Sequence, residues 1–254
     1  MGLSVIIITQ DEAHNIGPCL ESVSFADEVV VLDGGSSDRT REIASEMGAR
    51  VHIASDWQGF GVQKNRVLAL ATQEWVLSLD ADERVSPELA ASIAAFVGGN
   101  SSRDAYEMSR MTWYCGKFLR HSGTAPDYVL RLFRRGTARF SDNLVHERLL
   151  PDGPVGRLEG KLLHYSFMNF SDVLKKIDGY TTASAKQALD DGRTSSVGKA
   201  VGRSLWMFFR TYVLKRGFLD GAHGFAMAAS AAQGTYYRYM KIWNGGQEGA
   251  KAPK

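Results

Sequence analysis

The feature that most constrains this chain is an alternation in its first third. Short apolar runs at 3–9, 28–32, 50–54 and 75–79 are each bounded by polar or glycine-rich residues, and helical texture fills 13–24, 38–47 and 62–71 between them. Runs this short and this rich in Val, Ile and Leu predict strands. Strands separated by helices predict right-handed βαβ crossovers and a parallel, doubly wound sheet. Ser37 or Asp38 is the expected cap of the second helix. Sheets of this kind bind ligands beyond the carboxyl ends of their strands, so the informative loops are those after Thr9, Leu32, Ala54 and Leu79. Further along, a helix is expected at 87–97 and a strand at 104–115, then an irregular aromatic and basic region to about 164. Helical texture returns at 172–189, 192–196 reads as a loop and 245–254 as a frayed tail.

The 254 residues, 44% hydrophobic and 23% charged, suffice for one large domain or a domain with an extension, and exclude a disordered or collagen-like chain. Thirty basic residues against 28 acidic ones give +2, too balanced for nucleic acid to be the main partner. That balance hides an asymmetry: from Lys199 to Trp243 there are seven cations and one acid, Asp220, a local +6 that leaves −4 for the rest. Two cysteines, Cys19 and Cys115, without a CxxC, point to a reducing compartment and to no structural zinc. The apolar run Val5 to Ile8 has no basic flank and no small-residue cleavage site before Asp11 and Glu12, so it reads as a buried strand and not as a signal peptide. No window reaches the roughly 18 apolar residues of a spanning helix, because Arg210, Lys215, Arg216 and Asp220 interrupt the richest one.

Two constellations at strand ends carry chemistry. Asp80-Ala81-Asp82 follows the fourth strand, and paired carboxylates at i and i+2 suit Mg²⁺ or Mn²⁺, which in turn suits a diphosphate. Asp33-Gly34-Gly35-Ser36-Ser37-Asp38-Arg39-Thr40 follows the second strand, where two glycines allow close backbone approach and a helix start offers free N–H groups. An acid there also occurs in dinucleotide-binding folds, but the first loop is Thr9-Gln10-Asp11-Glu12-Ala13-His14-Asn15 and lacks G-x-G-x-x-G, which disfavours a nicotinamide or flavin enzyme. There is no Walker loop. His121, His164 and His223 with Asp127 have no helical ligand spacing, which disfavours a zinc enzyme.

Taken together, the strand ending in Thr9 with Glu12 and Asn15 after it, the Asp33 to Thr40 loop, Lys64-Asn65-Arg66 and Asp80-Ala81-Asp82-Glu83 resemble the family 2 glycosyltransferases of the GT-A fold. Arg131-Leu132-Phe133-Arg134-Arg135, Val145-His146-Glu147, His164-Tyr165 and Arg216-Gly217-Phe218-Leu219-Asp220-Gly221 resemble a narrower group, the lipopolysaccharide core glucosyltransferases that act on inner-core heptose. The resemblance runs from Leu3 to about Trp243. It implies an α/β fold, a Rossmann-like mixed sheet with a helical, aromatic and basic C-terminal extension. It also implies a UDP-sugar donor and a divalent cation, Mg²⁺ or Mn²⁺. Thr9 and Glu12 would line the nucleotide pocket, Asp33 would contact the uracil, and Lys64 and Arg66 would lie near the nucleotide and its phosphates. Asp80 would hold the ribose or the metal's water shell, and Asp82 would bind the metal. The other readings are the same fold and donor with a polyprenyl phosphate, another glycan or a peptide as acceptor, or an inactive nucleotide-sugar-binding or scaffold protein.

Inverting transfer needs a base for the acceptor hydroxyl, and Glu147, Asp127 and Asp142 are the candidates. The resemblance favours Glu147, with His146 orienting it or touching phosphate. Arg131, Arg134 and Arg135 are read as acceptor contacts for phosphates or carboxylates. Lys199, Arg203 and Arg210 share a helical side beside Leu205, Trp206, Phe208, Phe209, Tyr212 and Val213, the composition of an interfacial helix on an anionic membrane surface. The same helices could instead complete the core or form a homo-oligomer. A lipid-linked saccharide acceptor favours the membrane, at the cytoplasmic face of the inner membrane. The expected organisation is a catalytic domain over 1–165 (nucleotide-sugar half about 1–100, acceptor half about 101–165), a helical extension over 166–245 and a disordered tail over 246–254.

Overall fold

The computed structural model describes residues 2–97, 99, 103–141 and 148–248. It divides into two compact units, Met1–Arg110 with Asp127–His164, and Met111–Pro126 with Tyr165–Lys254.

In the first unit, β1 (Leu3–Thr9), α1 (Ala13–Glu21), β2 (Glu28–Asp33), α2 (Thr40–Glu46), β3 (Arg50–Ile53), α3 (Phe60–Leu68) and β4 (Trp75–Asp80) realise the alternation read from the sequence. β1, β2, β3 and β4 are parallel, with β1 between β2 and β4. The chain then continues through β5 (Glu83–Val85), α4 (Pro87–Val97), β6 (Ala105–Tyr114), β7 (Lys117–Phe118), β8 (Asp127–Arg134), β9 (Ala138–Phe140), β10 (Leu149–Pro151) and β11 (Val155–Phe167). The main sheet runs β3-β2-β1-β4-β8-β6-β11-β5, and β8 is antiparallel to both β4 and β6. It is therefore an α/β mixed sheet, parallel where the βαβ pattern holds and antiparallel beyond it.

Alternate residues of β1 feed two cores, as the two-residue period of a strand requires. Val5 and Ile7 pack with Ile16, Leu20, Leu77 and Leu79 on one face, and Ile6 packs with Val30, Val67, Val76 and Phe133 on the other. Because both faces are covered, the strand reads as an unbroken apolar run instead of an alternating one. The order of the strands puts the switch point between β1 and β4. Their register pairs Thr9 with Asp33 and Ile8 with Asp80, which gathers three candidate residues at one strand-end crevice.

The second unit holds α5 (Phe170–Asp190), α6 (Val197–Phe209) and α7 (Ala222–Glu248), with a π-helical turn at Arg210–Leu214 and a 3₁₀ turn at Gly217–Asp220. Asn169 begins α5 with a reciprocal capping box: its side chain accepts from Asp172 N at 3.0 Å, and the Asp172 side chain accepts from Asn169 N at 3.3 Å. Residues 111–126 belong to this unit, whereas the sequence reading places them in the catalytic domain. The physical reason is Asp220, a buried carboxylate that accepts the N–H groups of Arg120 (3.1 Å) and His121 (3.0 Å) and the Ser122 hydroxyl (3.0 Å). Close approach of the 3₁₀ turn to α7 requires Gly224, since a Cβ there would lie 1.8 Å from the Gly217 carbonyl oxygen.

Burial pushes the Asp220 carboxyl up, but the donors from Arg120, Ser122 and His121 outweigh it and hold it below the usual carboxylate range. A depressed folded-state value contributes stability above the unfolded value and loses it as pH falls through the folded one. Asp220→Asn should thus destabilise this unit by about 2 kcal/mol at neutral pH. Its deficit against the wild type should shrink in denaturation curves taken below about pH 4, and a deficit independent of pH would show that the ionised form is not what the loop binds.

Candidate active site

The first two strand-end loops are built by short polar side chains. The Asp33 side chain is fully buried: one oxygen accepts Gly35 N (3.0 Å) and Ser36 N (2.8 Å), and the other accepts the Ser36 hydroxyl. This Asx-type turn needs a residue in the left-handed region, supplied by Gly35 at φ 97°. The loop is then laced to the one after β1. Ser37 N donates to Asp11 Oδ1 (2.7 Å), Asp11 N to Ser36 Oγ (2.8 Å), Glu12 N to Thr40 Oγ1 (2.9 Å) and Ala13 N to Asp38 Oδ2 (3.0 Å). The expected cap at Ser37 or Asp38 is corrected by this arrangement. Arg39 stands at the cap position of α2, and Asp38 joins the two loops while also accepting from Thr40 N at 3.0 Å. Asp33 shapes the loop with both of its carboxylate oxygens.

At the end of β4, six groups form a chain of alternating charge. Lys64 Nζ lies 2.8 Å from Asp80 Oδ1, and Arg131 Nη2 lies 2.6 Å from both Asp80 Oδ2 and Glu83 Oε1. Arg110 is 3.6 Å from Glu83 and holds Asp127 through Nε at 2.9 Å and Nη2 at 2.8 Å. Lys64, Glu83 and Arg131 are buried, while Asp80 keeps about a third of its side chain exposed (35%). Burial alone would raise the Asp80 carboxyl, but Arg131 and Lys64 hold it well below the usual carboxylate range. The carboxylate at the crevice is therefore ionised and acts only as an acceptor. Beneath it, burial and the negative charges of Glu83, Asp82 and Asp80 push the Cys19 thiol far up, so that it is an inert core group.

Asp82 pairs with His164, whose Nε2 is 3.2 Å from Asp82 Oδ2. His164 reaches this position because β11 is antiparallel to β5 with His164 opposite Glu83. In sequence His164 enters only the disfavoured histidine cluster and the His164-Tyr165 element, and neither assigns it to Asp82. Three buried polar atoms at this strand-end region have no hydrogen-bond partner among the described residues: Thr9 Oγ1, Arg131 Nε and His164 Nδ1. Asp82 and His164 offer a divalent cation one carboxylate and one imidazole. Among the described residues no group of three or more His, Cys, Asp or Glu could hold a metal. Few protein ligands suit an ion whose remaining positions are filled by substrate phosphates and water, and the donor set fits Mg²⁺ or Mn²⁺ on that footing.

Other expected residues fall elsewhere. Arg66 is two positions from Lys64 on α3 and so points to another side, where it pairs bidentately with Asp56 at 2.9 and 2.8 Å. Asn65 between them donates to Phe140 O and accepts from Phe140 N, both at 2.9 Å, tying β9 down. Arg131, Arg134 and Arg135 do not form one acceptor cluster. The antiparallel register sets Arg134 opposite Trp75, at the start of β4, while the crevice is at its end. There Arg134 pairs with Glu74 and with Asp104 (3.1 Å), and Arg135 Nε donates to Gln73 O (3.0 Å). Glu12 accepts from Asn15 Nδ2 at 2.8 Å. Glu147, His146 and Asp142 lie outside the described residues.

A parallel βαβ half with acidic strand ends, joined to antiparallel strands and followed by a helical region, is a mixed α/β fold of the GT-A type. Residues 4–143 match the family model for glycosyl transferase family 2, and the chain belongs to that family. An uncharacterized glycosyltransferase of Rickettsia typhi is 28% identical over 252 residues, 94% of this chain and 86% of the relative. The lipopolysaccharide core biosynthesis glycosyltransferase LpsC of Rhizobium meliloti is 27% identical over 247 residues, 95% of this chain and 92% of the relative. Among solved structures, glucosyl-3-phosphoglycerate synthase from Mycobacterium tuberculosis, in complex with Mn²⁺, UDP and glucosyl-3-phosphoglycerate, is 23% identical over 44% of each chain with a TM-score of 0.37.

Proposed function

We propose that this glycosyltransferase moves a hexose, glucose, from a UDP-sugar to a heptose of the lipopolysaccharide inner core, with inversion, at the cytoplasmic face of the inner membrane. The observation that carries the donor reading is the crevice itself. The ionised Asp80, the Asp82–His164 pair and the unpartnered Thr9 hydroxyl stand at the carboxyl ends of strands around one switch point. The acceptor reading leans on the likeness to LpsC along almost the whole of both chains.

In this reading Asp80 accepts hydrogen bonds from ribose hydroxyls, which a carboxylate held ionised by Lys64 and Arg131 does well. The Thr9 hydroxyl gains a partner from the nucleotide, relieving a buried polar group whose isolation costs about 1–3 kcal/mol. Asp82 and His164 would hold the divalent cation, which would supply positive charge against the leaving diphosphate. Glu147 takes the proton of the acceptor hydroxyl as its oxygen attacks C1 from the face opposite UDP. The C1–O bond breaks with its electron pair passing to the diphosphate. Asp127 is a weaker candidate for this role, because the Arg110 guanidinium, with two contacts to its Oδ2, stabilises the ionised carboxylate and makes it a poorer base.

Calorimetric titration with UDP-glucose, UDP-galactose, UDP and NAD, with and without Mg²⁺ or Mn²⁺, tests the donor. Binding of UDP species that requires the metal supports the reading, and absence of UDP binding under either metal overturns it. Transfer to purified inner-core acceptor, compared with polyprenyl phosphate, tests the acceptor. Glu147→Gln should leave donor affinity within about twofold and slow transfer by about 10²-fold or more. A fast variant moves the base to Asp127 or Asp142.

A further inference from the structure

α6 turns an apolar side outward, and its surroundings say what that side meets. The helix buries Ala200 and the following turn buries Thr211, while Ser204 Oγ donates to Ala232 O of α7 at 2.9 Å, which identifies the inward side. At about 100° per residue, Leu205 and Phe209 project from the opposite side, with only Gly198 and Gly202 beside them. Leu205 is 67% exposed and Trp206 50% exposed, and Val213 and Leu214 of the next turn are exposed as well. An outward side of large apolar groups is the reverse of the usual surface helix.

Along one border of that side run Lys199, Arg203 and Arg210, spaced by four and seven residues and all exposed. Lys199, Gly202, Arg203 and Trp206 line an open groove of about 460 Å³. Lys215 and Arg216 follow at the end of the turn, also exposed. None of these five cations enters a salt bridge among the described residues, and the one acid between Lys199 and Trp243, Asp220, is buried on the 111–126 segment. A twofold contact between copies would bring these cations against a surface of the same composition, with no acid in this stretch to meet them. An anionic bilayer supplies both halves of the complement: phosphates for the cations and an acyl boundary for Leu205, Trp206 and Phe209. No helix among the described residues is long and apolar enough to cross a membrane, so contact through this side is in the plane of the interface.

We propose that α6 is an in-plane docking helix for an anionic phospholipid surface, with Lys199, Arg203 and Arg210 as its phosphate-binding border. The inference is independent of the donor and acceptor assignments. It is tested by flotation of the full chain with vesicles of phosphatidylcholine alone and of phosphatidylcholine with phosphatidylglycerol. Binding is expected only to the second, and it should weaken as salt is added. Each cation contributes about fivefold, so a Lys199→Ser, Arg203→Ser, Arg210→Ser triple variant should lose on the order of 100-fold in partition. Leu205→Ser should lose binding while keeping all the charges. Both variants alter exposed groups and should retain the wild-type circular dichroism and UDP-sugar binding. No association with the anionic vesicles, or equal binding by the triple variant, overturns the proposal. So does a concentration-dependent dimer that Leu205→Ser dissolves in a protein that ignores vesicles, which assigns the surface to a second copy.

Discussion

Asp82→Asn should lower transfer by about 10²- to 10³-fold while leaving the fold intact. The Asp82 side chain is only partly buried and faces His164, not the apolar core. Removing its charge therefore takes little from the packing of β4 and β5. On the proposed reading, the loss falls on stabilisation of the departing diphosphate, so kcat drops and metal-dependent UDP affinity weakens together. His164→Ala should reproduce the direction with a smaller effect, since a carboxylate carries charge that a neutral imidazole does not. Steady-state kinetics across a Mn²⁺ titration, with circular dichroism as the control for folding, decides the matter. An Asp82→Asn enzyme within threefold of the wild type removes Asp82 from the metal role.

Arg131→Met is expected to have the largest effect on stability, a loss of about 3–5 kcal/mol. Arg131 is buried and its Nη2 binds Asp80 and Glu83 at once, so its removal leaves two carboxylates facing each other with one cation fewer. Asp80 would still have Lys64 at 2.8 Å, but fully buried Glu83 would keep, as its one cation among the described residues, Arg110 at 3.6 Å, beside the Asp80 N–H on Oε2 at 3.0 Å. The penalty is thus an uncompensated buried charge more than a lost contact. Neutralising that charge should restore part of the loss, so an Arg131→Met, Glu83→Gln double variant should be more stable than Arg131→Met alone. Urea unfolding of the two variants measures this. A single variant that costs less than about 1 kcal/mol would show that the charge chain is not coupled. Arg134→Ala, at the other end of β8, should change transfer less than twofold.

The contrast between Arg131 and Arg134 shows where reading the sequence stops. All three arginines of the Arg131 to Arg135 segment look alike in one dimension, as cations on a basic strand. Their separation follows from β8 running antiparallel to β4, which sends Arg134 and Arg135 to the amino ends of the parallel strands and leaves Arg131 near the carboxyl ends. The strand pattern contains no statement of direction. Lys64 and Arg66 differ for a similar reason, since two residues on a helix lie on different sides, and the partners Asp80 and Asp56 decide what each one does.

The positions of β1 to β4, the helices between them and the acids at the strand ends were legible because each depends on local properties: the run of apolar side chains, the glycines that permit a turn, the carboxylates that follow a strand. The same holds for the alternation of strand and helix that makes the first half parallel. The Asp82–His164 pair, the Arg131 bridge and the assignment of 111–126 to the helical unit through Asp220 join residues 82, 51 and about 100 positions apart. Local composition constrains such pairs very weakly, because they depend on strand direction, register and the packing of whole elements, and these exist only once the chain has folded.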